Sequence, residues 1–315
     1  MSLNPGPPLH RSLLPSLLVP KASNDMSSCK GRLTVERRES DGLNVASDLF
    51  ATYPLRLHLT EQQSKKALSC YMLGYGGGLV AGDSVDLDVA VQAGASAVVT
   101  SQSTSKAFCA REDRPDTKLG TSITVEEESL LVWVPQPLQC FAGSRLEQVT
   151  SVALPSPASS LLFLDWYTGG RKNYDSGGWD MDLFQTSVDI VDVTGDTIFR
   201  DSTRLCGGAD LRRHMRGFHL VAMMVLVGPA LQDLADRMLA NFSSRSKFSE
   251  TTGGGTNGRD DRPVGATLDN GLIVSCGTFP VHDNAQAGVV VRLVATSLEQ
   301  AGESGLSFHR HWFHR

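Results

Sequence analysis

Residues 73–92 read LGYGGGLVAGDSVDLDVAVQ, a glycine-rich run followed at once by alternating apolar and polar side chains. In the second half, Val85, Leu87, Val89 and Val91 alternate with polar or small residues that include two aspartates. Side chains of a β-strand point alternately to opposite faces, so this spacing predicts a strand with one buried face. The stretch therefore favours a β fold for the region around it.

The glycine-rich run raises the question of a phosphate-binding loop. Dinucleotide-binding loops need a third glycine in register and a helix directly after the loop, whose N-terminus holds the pyrophosphate. Here Leu79 stands at the third glycine position, and the predicted strand replaces the helix. The Gly-Lys-Ser/Thr ending of a P-loop is also absent. The alternative is a loop in which Gly76, Gly77 and Gly78 permit positive φ or a close backbone approach.

The rest of the chain continues the β pattern. Apolar or alternating runs predict strands at 95–100, 122–125, 130–134, 149–154, 160–166, 188–193, 197–199, 219–227, 272–276 and 289–295. One amphipathic helix is predicted over 229–242, because its apolar residues recur three and four positions apart. The fold class is therefore mainly β.

Two polar segments flank or interrupt these elements. Residues 1–28 are rich in proline, serine and leucine without periodicity, and we interpret them as a flexible leader. Residues 243–263 combine serine, glycine and charged residues, and predict a mobile loop or insertion.

Composition excludes several classes of protein. The chain has 315 residues, 41% apolar and 20% charged, with a formal net charge of −5, which gives no basis for nucleic-acid binding. Its six cysteines are scattered without a CxxC pair, so neither a disulfide framework nor a zinc module is expected. No apolar run approaches the roughly 20 residues of a membrane span. We expect a soluble, reduced, cytoplasmic protein.

Several segments carry a family resemblance when they are taken together. They comprise, in order along the chain, 75–83, 85–92, 94–95, 100–106, 133–137 with Phe141, 165–171 with Trp179, 200–201 and 291–293. In this order they resemble the UreD family of urease accessory proteins, over about 31–296. No single segment is decisive, but each would have to arise independently by chance.

The resemblance has two departures. The family follows its Gly-Arg pair with a Gly-Glu pair, whereas residues 172–178 here contain no glutamate and offer only Asp175 as a substitute. The family also ends in a helix, whereas 297–315 contains Gly302 and Gly305, which weaken helix formation. The resemblance thus implies a domain over 29–296 and an atypical C-terminal tail over 297–315.

The resemblance implies both a fold and a function. The fold would be an elongated β-helix-like or layered β scaffold with one or two α-helices on one side. The protein would be a chaperone for nickel insertion that bridges apo-urease to a complex of a UreF-like protein and a UreG-like GTPase. Nickel would be in transit and not a permanent cofactor, and the chain itself would be no enzyme. Neither nucleic acid nor membrane would be a partner.

Candidate contacts for a partner or a passing ion lie within the matching segments, apart from Asp175. They are Gly76, Gly77, Gly78, Gly82, Asp83, Lys106, Asp165, Arg171 and Asp175. For Asp83 the alternative is a hydrogen bond that closes the glycine turn, and for Lys106 it is a solvated surface position. Arg171 has the planar guanidinium that binds carboxylates through two hydrogen bonds.

The C-terminal histidines allow two interpretations. Imidazole suits nickel, so His309, His311 and His314 are candidate metal ligands. Alternatively they are incidental residues of a tail, because a metal site also needs fixed geometry. The sequence assigns no firm metal ligand.

Two other functional hypotheses remain open at this stage. One is a β-rich hydrolase or nucleotide-dependent enzyme that uses the glycine-rich loop, although the chain has neither a Gly-x-Ser-x-Gly elbow nor a His-Glu-x-x-His motif. The other is a β interaction protein unrelated to nickel.

Overall fold

The computed structural model describes residues 29–60, 65–171, 177–250, 264–268, 271–281 and 286–301. Most of the regular structure in these ranges is β-strand. The strands are β1 (Cys29–Arg37), β2 (Asn44–Ala51), β3 (Leu55–Leu59), β4 (Leu68–Gly74), β5 (Ser84–Val91), β6 (Ser96–Ser101), β7 (Ser105–Ala107), β8 (Thr117–Val125), β9 (Leu130–Val134), β10 (Leu138–Cys140), β11 (Arg145–Ala153), β12 (Ser160–Thr168), β13 (Leu183–Val191), β14 (Thr197–Leu205), β15 (Leu220–Val227), β16 (Val264–Leu268), β17 (Leu272–Val281) and β18 (Gln286–Ala295). The helices are α1 (Ala209–Met215), α2 (Gln232–Glu250) and α3 (Leu298–Ala301).

The strands form two sheets between which the chain passes repeatedly. The first sheet has the order β14-β13-β11-β8-β5-β1-β2, and the second has the order β16-β17-β18-β15-β12-β9-β6-β4-β3. From β5 to β13 the chain alternates between the sheets, and the strands β5, β8, β11 and β13 are parallel to one another, as are β6, β9 and β12. This winding confirms the expected mainly β, layered and β-helix-like scaffold.

Apolar side chains fill the space between the two sheets. Leu87 and Val89 of β5 are buried, and they belong to one cluster with Val99 of β6, Leu131 of β9 and Leu161 of β12. The alternation seen in the sequence around residue 85 thus points one face of β5 into the core and the other to solvent. Burial of apolar surface of this kind is the main stabilising contribution to folding.

Helix α2 covers the outer face of the second sheet. Leu231 and Ala235, at the start of the helical region, are buried in a second cluster with Val132, Leu162 and Met224. Strands β9, β12 and β15 are therefore covered on both faces, which explains their continuous apolar sequences. The short helix α3 joins the same cluster through Ala301, so two helices lie on one side of the scaffold.

Three sequence predictions need correction or completion. The loop predicted over 243–263 is wrong for 243–250, because α2 continues to Glu250. Residues 251–263 lie outside the described residues. No strand was predicted before Ser84, yet four precede it. The edge strand β2 has a weak alternation, whereas β3, which reads LRLHL, alternates strictly and could have been predicted. Helix α1 was missed because it has seven residues and none of them is buried.

Two further findings concern the described residues alone. None of their helices combines the length and the apolar character needed to cross a membrane. Within the same ranges, Cys70, Cys109, Cys140, Cys206 and Cys276 are all free thiols.

Truncation of one core leucine tests the packing between the sheets. Leu161 is fully buried, so Leu161→Ala should lower the free energy of unfolding by about 2–5 kcal/mol through lost burial and a residual cavity. The matched control is Leu49→Ala in β2, where the leucine is 42% exposed, and there the change should stay within about 0.5 kcal/mol. Urea unfolding at constant m-value measures both, and equal losses would contradict the assigned core.

Candidate functional site

The glycine-rich loop is a tight turn that lies against β7. Tyr75–Gly77 form a 3-10 turn in which Gly76 and Gly77 have φ of 70° and 74°. Gly78 is extended, and a Cβ added there would stand 2.6 Å from the carbonyl oxygen of Lys106. Next to it, the amide of Leu79 donates to that same oxygen at 2.7 Å. Two glycines therefore supply positive φ, and the third permits close backbone contact.

Asp83 closes the turn that follows the loop. Its carboxylate Oδ2 accepts the amide hydrogen of Val80 at 2.9 Å, and its own amide donates to the Val80 carbonyl at 3.0 Å. Gly82 provides the positive φ of 90° that this turn requires. The loop then runs directly into β5, so no helix N-terminus stands where a dinucleotide fold would place its pyrophosphate.

Hydrogen bonds tie three of the family-like segments to one another. The hydroxyl of Thr100 donates to the carbonyl of Val134 at 2.7 Å. The amide of Gln136 donates to the hydroxyl of Ser101, also at 2.7 Å. The indole of Trp166 donates to the carbonyl of Pro135 at 2.7 Å. Segments that are distant in sequence thus meet at one place, between β6, β9 and β12.

A first cavity of about 200 Å³ opens beside the glycine loop and extends between the sheets. Gly77, Gly78 and the segment 102–105 line it near the loop, while Gln148 and Asp165 line it between the sheets. Its volume is many times what a single water requires, so hydrated ions have room inside. The sequence candidates Gly77, Gly78 and Asp165 are therefore brought to one cavity.

Asp165 is held between the two sheets by two hydrogen bonds. Nε2 of Gln148 donates to Oδ1 at 3.1 Å, and the hydroxyl of Thr186 donates to Oδ2 at 3.1 Å. Burial raises the pKa of the Asp165 carboxyl; the like charge of Asp201 adds to the rise, and the two hydrogen bonds oppose it. The carboxyl lies deep in the protein, yet cavities on both sides leave part of its side chain accessible.

A second cavity, of about 230 Å³, lies on the other side of Asp165. Its polar lining includes Thr186, Asp201 and Arg292, and Nη2 of Arg292 donates to Oδ1 of Asp201 at 2.8 Å. Asp165 lines both cavities. A carboxylate therefore stands where two internal spaces of the sandwich meet.

The polar groups around Asp165 are an amide, hydroxyls and a second carboxylate. Carboxylate, amide and hydroxyl oxygens can replace part of an ion's hydration shell, but nickel prefers nitrogen ligands such as imidazole. Among the described residues, no group of three or more histidine, cysteine, aspartate or glutamate side chains could hold a metal ion.

The remaining candidate residues lie elsewhere or outside the described ranges. Lys106 is half-buried in β7, with its Nζ beside Gly77. Arg171 is exposed, and its guanidinium carbon lies 4.8 Å from the centre of the Phe141 ring, a cation–π contact. Asp175 and the three tail histidines, His309, His311 and His314, fall outside the described residues.

Sequence reasoning missed four residues of this site, namely Gln148, Thr186, Asp201 and Arg292. One of them, Arg292, carried a usable signal. Arg292 interrupts an apolar run in β18, just as Asp165 interrupts one in β12. A charged residue inside a strand that is otherwise apolar marks a buried polar site, because burying a charge is unfavourable unless it has partners.

The chain is similar to known proteins over most of its length. A family model described as UreD urease accessory protein matches residues 29–312. Urease accessory protein D of Oryza sativa subsp. indica is 29% identical over 294 residues, covering 90% of this chain and 91% of the relative. Urease accessory protein UreD of Anaeromyxobacter sp. is 30% identical over 298 residues, covering 94% and 88%. A urease accessory protein ureD-like chain of Schizosaccharomyces pombe is 27% identical over 238 residues, covering 72% and 81%.

Substitution in the glycine loop tests its geometry. Gly77→Val should lower the free energy of unfolding by about 1–3 kcal/mol, because a β-branched residue is strained at φ 74°. Gly74→Val is the matched control, since Gly74 has φ −97° and no atom within 4 Å of an added Cβ. Thermal or urea unfolding measures the difference, and equal stability of the two variants would show that the loop has another backbone conformation.

Replacement of the central carboxyl should make the protein more stable near neutral pH. With a raised folded-state pKa, Asp165 lowers stability as pH rises from the ordinary carboxyl range near 4 through that raised value. Asp165→Asn removes this loss, so its melting temperature should exceed that of the wild type at pH 7, and the gap should narrow towards pH 4. A destabilised Asp165→Asn variant at pH 7 would contradict the unfavourable burial.

Proposed function

This chain belongs to the UreD family of urease accessory proteins, and we propose that it helps load nickel into apo-urease by passing the ion through its interior. Its accessory role in urease maturation follows from the family. Nickel would be cargo, taken up at one cavity and released at the other. The observation that carries the proposal is the position of Asp165, which lines both internal cavities between the two sheets.

The chemistry of the interior supports transit over storage. A permanent nickel site would use several histidine or cysteine ligands with fixed geometry. The polar groups near Asp165 are instead an amide, hydroxyls and a second carboxylate. Such oxygen donors exchange readily with water, so an ion can enter and leave. The family-like segments around the first cavity give this proposal its second support.

An exposed apolar surface supports binding to partner proteins. Leu49, Tyr53 and Tyr75 are 42%, 73% and 50% exposed and line one surface depression, in which the rings of Tyr53 and Tyr75 lie 5.5 Å apart. Contiguous apolar surface of this kind is typical of protein interaction sites. Within the proposal, the chain bridges apo-urease to a UreF-like protein and, through it, to a UreG-like GTPase.

Catalysis is assigned to the partners in this proposal. Urease would hydrolyse urea, and the GTPase would hydrolyse GTP, while this chain would supply a passage and docking surfaces. The glycine loop fits that role because it leads into β5 and lines the first cavity near β7. The alternative of a nucleotide-dependent enzyme loses its main support, since the loop lacks the following helix.

Complementation of a deletion strain tests the accessory role and the passage together. Without this gene, urease should accumulate in an inactive, nickel-poor form, and the wild-type gene should restore activity. Asp165→Asn should leave activity and nickel content at least about tenfold lower, since even outer partners of a metal ligand have effects of that size. Asp83→Asn is the control and should restore activity, because asparagine also closes such turns.

The outcomes separate the two parts of the proposal. Active, nickel-loaded urease in the deletion strain would overturn the accessory role itself. Full activation by Asp165→Asn would leave that role standing and exclude a passage along this carboxylate. Colorimetric urease activity and metal analysis of the purified enzyme are the measurements.

A further inference from the structure

The second cavity contains one positively charged side chain. Among the residues that line it in the described part of the chain, Arg292 is cationic, while Asp165 and Asp201 are the two carboxylates. Arg292 projects from β18 of the second sheet, and Asp201 from β14 of the first, so their ion pair of 2.8 Å joins the two sheets across the cavity. The Asp201 carboxylate is therefore already paired with the Arg292 guanidinium, inside the cavity through which a cation would pass in the proposed function.

The pair lies where it can open. The Arg292 side chain is 49% exposed and that of Asp201 is 25% exposed, which places the pair at the outer end of the cavity. Partly exposed ion pairs contribute little to stability, because water solvates the separated charges. Swinging Arg292 into solvent is accordingly an inexpensive motion that does not disturb the apolar core.

Charge balance gives the pair a role during transit. Two unpaired carboxylates in one cavity attract a divalent cation more strongly than one does, so an ion near both would leave more slowly. Arg292 neutralises the charge of Asp201, so the cavity binds a divalent cation less tightly. The same guanidinium can return to Asp201 once the ion has moved, which favours release.

We infer that Arg292 is a displaceable counter-ion, which stands in for the divalent cation on Asp201 and limits how tightly the second cavity holds it. This role rests on the proposed nickel passage, and it makes Arg292 the residue that controls how fast nickel leaves the second cavity. Arg292 acts here through Asp201 and is a positioning residue. Its effect is electrostatic, so it depends on the positive charge and not on the shape of the side chain alone.

Nickel binding to the purified full chain tests this role. Arg292→Gln should bind Ni²⁺ about tenfold more tightly than the wild type by calorimetry with nickel chloride, because the competing charge is gone. The same variant should complement the deletion strain poorly, since the ion is retained. Arg292→Lys keeps the charge and should resemble the wild type in both assays.

Two controls identify the site responsible. Arg200→Gln breaks an ion pair with Asp189 on β13 and β14, outside the cavity, and should change neither nickel affinity nor activation. The double variant Arg292→Gln with Asp201→Asn should lose the gain in affinity, because the freed carboxylate is absent. Thermal melting of each variant checks that the fold is retained.

Each outcome decides the inference. Unchanged nickel affinity in Arg292→Gln, or a gain that persists without Asp201, would overturn it. Tighter binding with full urease activation would show that release is not limited here, and would also overturn it. If Asp165→Asn activates urease normally while Arg292→Gln still binds nickel more tightly, the proposed passage past Asp165 fails and the counter-ion role at Asp201 stands.

Discussion

Apolar packing between the two sheets sets the position of every other feature of this protein. The inward faces of β5, β8 and β11 lie against those of β6, β9 and β12, and their buried valine, leucine and isoleucine side chains hold the sheets together. Because the chain passes repeatedly from one sheet to the other between β5 and β13, these strands present an apolar face inward. Burial on this scale contributes most of the free energy that stabilises such a fold. Loops, cavities and charged side chains are all placed by it.

Asp165 is the point at which this packing gives way to polar chemistry. Leu161 and Phe163 of the same strand are buried in the core, and two residues further on a carboxyl takes the same inward position. Its pKa is raised by burial, and Gln148 and Thr186 stabilise it only in part. A protein optimised for stability alone would carry an apolar residue there. The unfavourable placement is understandable if the carboxyl contacts cargo, because functional sites commonly retain groups that lower stability.

The two cavities differ in how they meet the surface. The first opens beside the glycine loop and the 102–105 segment. There the positive φ of Gly77 and the missing Cβ of Gly78 let the loop pack closely against β7. The second ends at the ion pair between Asp201 and Arg292, which joins the sheets without filling the space. One end is thus lined by the glycine loop and hydroxyls, and the other by an ion pair. The two ends of the proposed passage therefore differ in their chemistry.

Alternation and positive φ are local properties, so the order of amino acids is enough to predict the strand character, the apolar face of β5 and the glycine turn. It also placed Asp165 among the candidate residues through its segment, and it predicted the start of α2 better than its end. It could not show that Gln148, Thr186, Asp201 and Arg292 surround one region, since these residues lie on β11, β13, β14 and β18. Their meeting depends on the order of strands in two sheets, which is set by long-range pairing. Whether a polar residue in an alternating strand faces solvent or a cavity is likewise decided only when the opposite sheet is in place.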